Sequence, residues 1–306
     1  MEIVISVIGF GKIGKLISAL LTARKDMQLV INIVDTDTNV WGAILDLEHG
    51  LQLFPNQHVV FNSDHYLEES DFIFHCAGAS VPKGKTRLFT AQASIEITES
   101  IFNNLHFKKP PFIIVVSNPV DIITHVTQRL TDIDPGRIVG TGTYLDSARL
   151  KHHLFTRNHD YKNVEAIMLG EHGDSMFISQ ELSKINGEPI NQYFDESELS
   201  QMEEHVKTSA EEIKRTQDAT IFGVSFCAVR VFESFLDETK FQCPVSISAP
   251  EWLIQETQIP QVSLSLFSEL SNSGAKTVNY HPNESELSKL SKSAEIISSY
   301  VPNKYL

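Results

Sequence analysis

Apolar residues in this chain fall into short β-branched runs separated by stretches with helical spacing, and the alternation is clearest at its start. Ile3-Val4-Ile5-Ser6-Val7-Ile8 is nearly all apolar. Gly9-Phe10-Gly11-Lys12-Ile13-Gly14 follows at once, and Ile13, Leu16, Ile17, Leu20 and Leu21 then keep the spacing of one helix face. The pattern predicts strand, tight turn, helix. A second run, Leu29–Val34, ends in Asp35, 21 residues past Gly14. Further strands are predicted at Val59–Phe61, Asp71–Gly78, Phe112–Val116 and Ile138–Gly140, with helices over Val40–Gly50 and Thr90–Asn104. Strands alternating with helices imply a parallel sheet covered on both faces, a doubly wound α/β arrangement.

From Leu145 onward the pattern changes. Ser147–Leu154 reads as a helix, Val164–Leu169 as an apolar run and Glu171–Ser175 as a polar turn. Residues 195–236 read as one long helical region. Val245–Ile247 and Val262–Leu266 are strand-like, and Asn283–Val301 is an amphipathic helix. The expectation is a first domain over residues 1–143 and a mixed α+β domain over 144–306 packed on it. Between them in character lies Ala79–Arg87, a loop carrying Pro82, Gly84, Lys83, Lys85 and Arg87, with a glycine that lets it move.

The opening turn has a chemical use. Gly9 permits a tight bend, Gly11 removes a Cβ that would collide with a pyrophosphate, and Gly14 lets the helix lie close on the strand. Unpaired N–H groups at the helix start then face an anion. Asp35 would accept hydrogen bonds from adenosine ribose hydroxyls and repel a 2′-phosphate. The next residues, Thr36-Asp37-Thr38, include no arginine. The first domain is therefore expected to be a Rossmann domain that binds NAD rather than NADP.

Composition narrows the partners. Across 306 residues the formal charge is −14, with 42% hydrophobic and 21% charged residues, which argues against a nucleic-acid or anionic-membrane surface. No transmembrane run or basic-then-apolar leader is evident. Cys76, Cys227 and Cys243 are odd in number without C-x-x-C spacing, pointing to free thiols and a cytoplasmic setting. No metal site is expected.

Polar residues follow several predicted strands, where open α/β sheets bind ligands. Asn118 follows Phe112–Val116, Asp146 and Arg149 follow Ile138–Thr143, and His172 follows Val164–Leu169. Taken singly, Asp146 and Arg149 also read as a helix cap with its surface partner three residues on, and His172 as an ordinary loop histidine. Together with the glycine turn, the segments Ser117-Asn118-Pro119-Val120-Asp121, Gly140-Thr141-Gly142, Leu145-Asp146-Ser147-Ala148-Arg149 and Gly170-Glu171-His172-Gly173-Asp174-Ser175 resemble the L-lactate/malate dehydrogenase family in order and spacing. The likeness spans essentially the whole chain.

The resemblance implies a mechanism. His172 would exchange the hydroxyl proton as hydride moves between C2 and the nicotinamide, a task suited to an imidazole, whose unperturbed pKa is about 6.5. Asp146 would hold the other ring nitrogen, and Arg149 would grip the substrate carboxylate with two parallel hydrogen bonds. Arg87 on the mobile loop would polarise the carbonyl, and Asn118 would bond the reacting oxygen or hold the nicotinamide side. Six residues before Arg87, where the family's lactate enzymes carry glutamine and its malate enzymes arginine, this chain has Val81. A second carboxylate against valine would be costly unless Lys83 or Lys85 pairs it. Thr220 matches the threonine lining the methyl pocket of lactate enzymes, although Gln217-Asp218 replace the family's usual Lys-Gly. These positions favour L-lactate and pyruvate. Malate, a branched-chain L-2-hydroxy acid and a non-catalytic NAD-binding role are the alternatives, and the assembly implied is a homodimer or homotetramer.

Overall fold

Ile3–Ile8 and the runs like it become strands because their side chains are buried on both faces of one sheet. The computed structural model describes residues 2–54, 57–80 and 87–306, the Arg87 side chain excepted. Six parallel strands form the first part: β1 (Glu2–Ile8), β2 (Gln28–Val34), β3 (Gln57–Phe61), β4 (Phe72–His75), β5 (Phe112–Val115) and β6 (Ile138–Gly140). Their spatial order is β3-β2-β1-β4-β5-β6, so the winding reverses between β1 and β4 and leaves a crevice at the strands' C-terminal ends. Ile5, Val7, Ile31, Ile33, Ile113 and Ile114 are wholly buried, each contributing about 1.5–3 kcal/mol.

The crossovers are α1 (Lys12–Thr22), α2 (Trp41–Leu51), α3 (Asp64–Glu68), α4 (Ala91–Phe102) and α5 (Val120–Leu130). α5 has no counterpart among the expected elements. Its Asp121, Thr124, His125 and Gln128 recur at helical spacing, yet Val120–Gln128 are all buried, so its polar stripe faces the interior rather than water. Thr124 and Thr127 instead return their hydroxyl protons to the carbonyls of Val120 and Ile123, each at 2.7 Å.

The rest of the chain begins with α6 (Tyr144–Arg157). Short strands follow: β7 (Val164–Glu165), β8 (Met168–Leu169), β9 (Phe177–Ile178), β10 (Lys184–Ile185) and β11 (Glu188–Pro189). The Val164–Leu169 run is thus two strands with different partners, since β7 pairs with β10 and β8 with β9. Next come α7 (Glu196–Lys214), α8 (Phe222–Ser234), β12 (Phe241–Ser248), α9 (Glu251–Thr257), β13 (Ser263–Ser271), β14 (Gly274–Thr277) and α10 (Glu284–Tyr300).

Two departures from expectation matter for the site. The region 195–236 is not one helix, because the chain leaves helical geometry between Lys214 and Phe222. There the Gln217 amide donates to the Ala219 carbonyl, and Asp218 reaches Lys12 at the start of α1, 3.0 Å away. The second departure concerns the sheet. β12 pairs antiparallel with β6 through Ser246 and Gly140, and β13 and β14 continue outward, making one nine-stranded sheet of the described residues. One large core follows this sheet through both halves of the chain. A smaller one, with Leu150, Leu154, Met168, Ile178, Met202 and Val206, lies among α6, α7 and the short strands. Among the described residues, no helix is long and apolar enough to cross a membrane.

Candidate active site

The glycine turn is shaped by close backbone approach. Gly9 has φ +92°, and a Cβ there would sit 2.5 Å from the Ala77 nitrogen; a Cβ on Gly14 would overlap the Gly9 carbonyl oxygen. A Cβ on Gly11 would meet nothing within 4 Å, so the turn opens to free space where α1 begins. Gly11 caps that helix without a side-chain hydrogen bond and no acid occupies its first turn, which leaves N–H groups facing outward.

Asp35, half-buried just past β2, braces this turn. Its Oδ2 accepts from the Phe10 N–H at 2.6 Å and its Oδ1 from the Asp37 N–H at 2.8 Å. Asn62 holds it from behind: its Oδ1 accepts the Asp35 N–H at 2.9 Å and its amide donates to the Asp35 carbonyl at 2.9 Å. A carboxylate offers about four acceptor sites, so two of them remain for ribose hydroxyls.

The other end of the crevice is built from three elements. Asp146 sits in the first turn of α6, wholly buried, with Arg149 one turn further on. The Arg149 guanidinium donates to Asp146 Oδ1 at 2.8 Å, and His172 Nδ1 lies 2.6 Å from Asp146 Oδ2. The Asp146–Arg149 pair does form at the spacing of three, but in the interior rather than on the surface: the Arg149 and His172 side chains are each only 12% exposed. Asp146 thus binds a cation and an imidazole with separate oxygens, and the second ring nitrogen of His172 is on the side away from it. Cys227 on α8 feels both charges, and burial pushes its thiol up to about 12, leaving it inert as a nucleophile.

Asn118 lies beyond β5. Its carbonyl accepts from Ser94 Oγ at 2.8 Å, while its side-chain Oδ1 is buried without a partner among the described residues; the same holds for Ser117 Oγ and Thr220 Oγ1. Unpaired buried polar atoms are costly, about 1–3 kcal/mol each, and three of them at strand-end and loop positions fit a site that a ligand completes. Thr220 stands in the loop between α7 and α8 that Asp218 ties to α1. Arg87 begins a short helical turn, Arg87–Thr90, but its side chain lies outside the described residues, as do Val81, Lys83 and Lys85.

Three contributors had no assigned role in the sequence. Asp121 and Ser265 brace the His172 turn, and Asn62 braces Asp35. Their signal was faint: an acid directly after Asn118-Pro119-Val120, and serines alternating with leucines over Ser263–Leu266. Among the described residues, no group of three or more His, Cys, Asp and Glu could hold a metal ion, and the three cysteines are free thiols.

A doubly wound sheet whose crevice opens onto an uncapped helix start at one end and a buried carboxylate, guanidinium and imidazole at the other defines a dinucleotide-dependent enzyme. Residues 3–140 match the family described as lactate/malate dehydrogenase, NAD binding domain, and residues 143–299 match lactate/malate dehydrogenase, alpha/beta C-terminal domain. The chain belongs to the lactate/malate dehydrogenase family, and its cofactor is NAD. An L-lactate dehydrogenase of Clostridium botulinum (strain Loch Maree / Type A3) is 30% identical, covering 98% of this chain and 96% of its own length. Among solved structures, the L-lactate dehydrogenase from Clostridium thermocellum is 27% identical with a TM-score of 0.82, covering 98% of each chain. The malate dehydrogenase from Archaeoglobus fulgidus in complex with NADH is 26% identical with a TM-score of 0.83, also covering 98% of each chain.

Proposed function

We propose that the protein interconverts L-lactate and pyruvate. The observation that carries this reading is the contact of His172 and Arg149 with the two oxygens of one buried carboxylate, Asp146. Bound NADH supplies the hydride. His172 donates the proton to the carbonyl oxygen in reduction and takes it back in oxidation, and Asp146 holds Nδ1 so that the other nitrogen faces substrate. With one nitrogen committed to Asp146, Arg149 keeps donors for the substrate carboxylate. Asn118 offers its unpartnered side-chain oxygen to the reacting centre or the nicotinamide side, and Arg87 polarises the carbonyl. Gly9, Gly11, Gly14 and Asp35 hold the nucleotide.

In domain terms, residues 1–143 bind the cofactor and 144–306 supply proton transfer and carboxylate binding. Lactate is favoured over malate by Val81, which offers no charge for a second carboxylate, and by Thr220, whose buried hydroxyl has no partner among the described residues. The name of the Clostridium botulinum relative points the same way. The charge of −14 and the free cysteines suit the cytoplasm. The assembly is a homo-oligomer, a dimer or tetramer, a reading supported by Trp41 and Leu45 on α2 and Phe222 and Phe226 on α8, which are exposed one turn apart on helices that both pack on α1.

A side-by-side NADH assay tests the substrate. Pyruvate is expected to exceed oxaloacetate in kcat/KM by at least about 10-fold, the effect of one unpaired carboxylate at 1.4 kcal/mol or more. The reverse order would assign the protein to malate, and faster 4-methyl-2-oxopentanoate to a branched-chain acid.

A further inference from the structure

We propose that Asp121, backed by Ser265, is a positioning residue that sets where His172 stands in the crevice. The role rests on His172 being the proton-transfer group proposed above, because it concerns how that imidazole is placed.

Asp121 lies in the first turn of α5, three residues past Asn118, and is 3% exposed. Its Oδ2 accepts the backbone N–H of His172 at 2.7 Å, and its Oδ1 accepts the Ser265 hydroxyl at 3.3 Å. Ser265, on β13, exchanges both backbone hydrogen bonds with Gly170, at 3.0 and 2.9 Å. The same Ser265 hydroxyl oxygen accepts the Thr143 N–H at 3.1 Å, just before the helix that carries Asp146 and Arg149. One carboxylate and one hydroxyl therefore join the start of α5, the start of α6 and the His172 turn.

The restraint is needed because of what surrounds the histidine. Gly170 has φ +95°, and Gly173 closes the turn on the other side, so His172 stands between two residues with wide backbone freedom. Asp146 fixes the ring at Nδ1, and Asp121 fixes the backbone from which the ring projects. Neither alone determines where the second ring nitrogen points. Burial pushes the Asp121 carboxyl up to about 7, with the Glu171 carboxylate adding to the rise. The charged groups facing it are few: Glu171 beside it, and beyond His172 the Asp146–Arg149 pair. Accepting from an N–H needs no charge, since a protonated acid or an amide still presents a carbonyl oxygen. Asp121 is thereby separable from a purely electrostatic partner of the imidazole.

Asp121→Ala, Asp121→Asn and Ser265→Ala are compared with the wild type in pyruvate reduction across pH, with NADH binding followed by fluorescence and folding by thermal melting. Asp121→Ala is expected to lower kcat roughly 10–100-fold, the effect of a displacement of about 1 Å at a reacting group, with KM changed less than threefold and NADH affinity within about twofold, since the glycine turn is untouched. Its pH midpoint in kcat/KM moves down as the contact with Asp146 loosens. Asp121→Asn restores kcat to within about fivefold and returns the midpoint to the wild-type value, because it keeps the acceptor. Ser265→Ala gives a smaller loss in kcat of the same kind. Wild-type kcat and pH midpoint in Asp121→Ala would overturn the assignment. So would an Asn variant as impaired as Ala, or losses in NADH binding that parallel those in kcat. If the Ala variant does not fold, Asn and Ser265→Ala decide: an impaired Asn or an unimpaired Ser265→Ala refutes the role. A wild type that reduces no 2-oxo acid removes the functional reading and this role with it, whereas an active wild type beside an unaffected Asp121→Ala removes this role alone.

Discussion

The two ends of the crevice are made in opposite ways. At the glycine end, Gly9, Gly11, Gly14 and Asp35 fall within the first 35 residues, and the binding surface is mainly backbone with side chains left out. At the histidine end, Asn118, Asp121, Asp146, Arg149, His172 and Ser265 come from four separate segments, and the surface is made of buried charge. Backbone N–H groups at a helix start can await an anion at little cost, because water reaches them in the meantime. A buried carboxylate cannot wait; it requires a cation or donor within the protein. The nucleotide end tolerates vacancy, whereas the histidine end must be complete before substrate arrives.

The difference is sharpest when one carboxylate is removed from each end. Asp146→Ala strands the Arg149 guanidinium and frees the His172 ring, and is expected to destabilise the fold by about 3–5 kcal/mol, the effect of breaking a buried pair. Asp35→Ala releases two backbone N–H groups at a half-exposed position and should cost only about 1–2 kcal/mol, with its main effect on NADH affinity. Chemical denaturation of both variants checks this; equal losses would erase the distinction between the ends.

Two buried neutral histidines make the fold sensitive to acid. His75, at the end of β4, has Nε2 3.0 Å from Thr98 Oγ1, and burial pushes its pKa down to about 4. His125, on α5, donates its Nε2–H to the Tyr305 carbonyl at 2.9 Å, and burial again lowers its pKa to about 4. The unfolded chain takes up a proton at each near 6.5, the folded chain only near 4, so their contribution is whole above pH 6.5 and is lost as pH falls toward 4. Each is worth up to about 3 kcal/mol. Asp121 acts oppositely: its pKa is raised from 3.8 to about 7, so folding favours its protonated form and the benefit fades as pH rises through 7. With three lowered histidines, His75, His125 and His153, against the raised acids Asp121 and Glu286, the melting temperature is expected to rise from pH 4 to 6.5, and His75→Gln or His125→Gln should flatten that rise. A wild-type profile flat over this range would show that neither imidazole is held neutral by burial.

The same contrast explains what could be read from the sequence. The β1–α1–β2 unit was legible because its apolar runs, glycines and acid are contiguous, and each piece has a local physical reason. α5 is buried all round, and its polar residues Thr124, His125 and Thr127 look solvent-facing in the sequence while their bonds are made inside the protein. β12–β14 joined the first domain's sheet through a pairing of Ser246 with Gly140, a contact between residues more than a hundred apart that no local periodicity encodes. Asp146, Arg149 and His172 were legible as a set through the family resemblance. Asp121 and Ser265 were not, since apart from each other they bond backbone groups of distant segments, those of Thr143, Gly170 and His172.

In the proposed reaction the imidazole held by Asp146 moves the substrate's proton and takes no part in holding the nucleotide. The most direct measurement of that role is stopped-flow reduction of pyruvate by the NADH-loaded His172→Gln variant, with NADH affinity titrated on the same preparation. The account predicts wild-type NADH affinity and a chemical step slowed by about 10²–10⁴-fold, the usual loss of a general acid. A variant that reduces pyruvate at the wild-type rate, or one whose defect is confined to NADH binding, would contradict it.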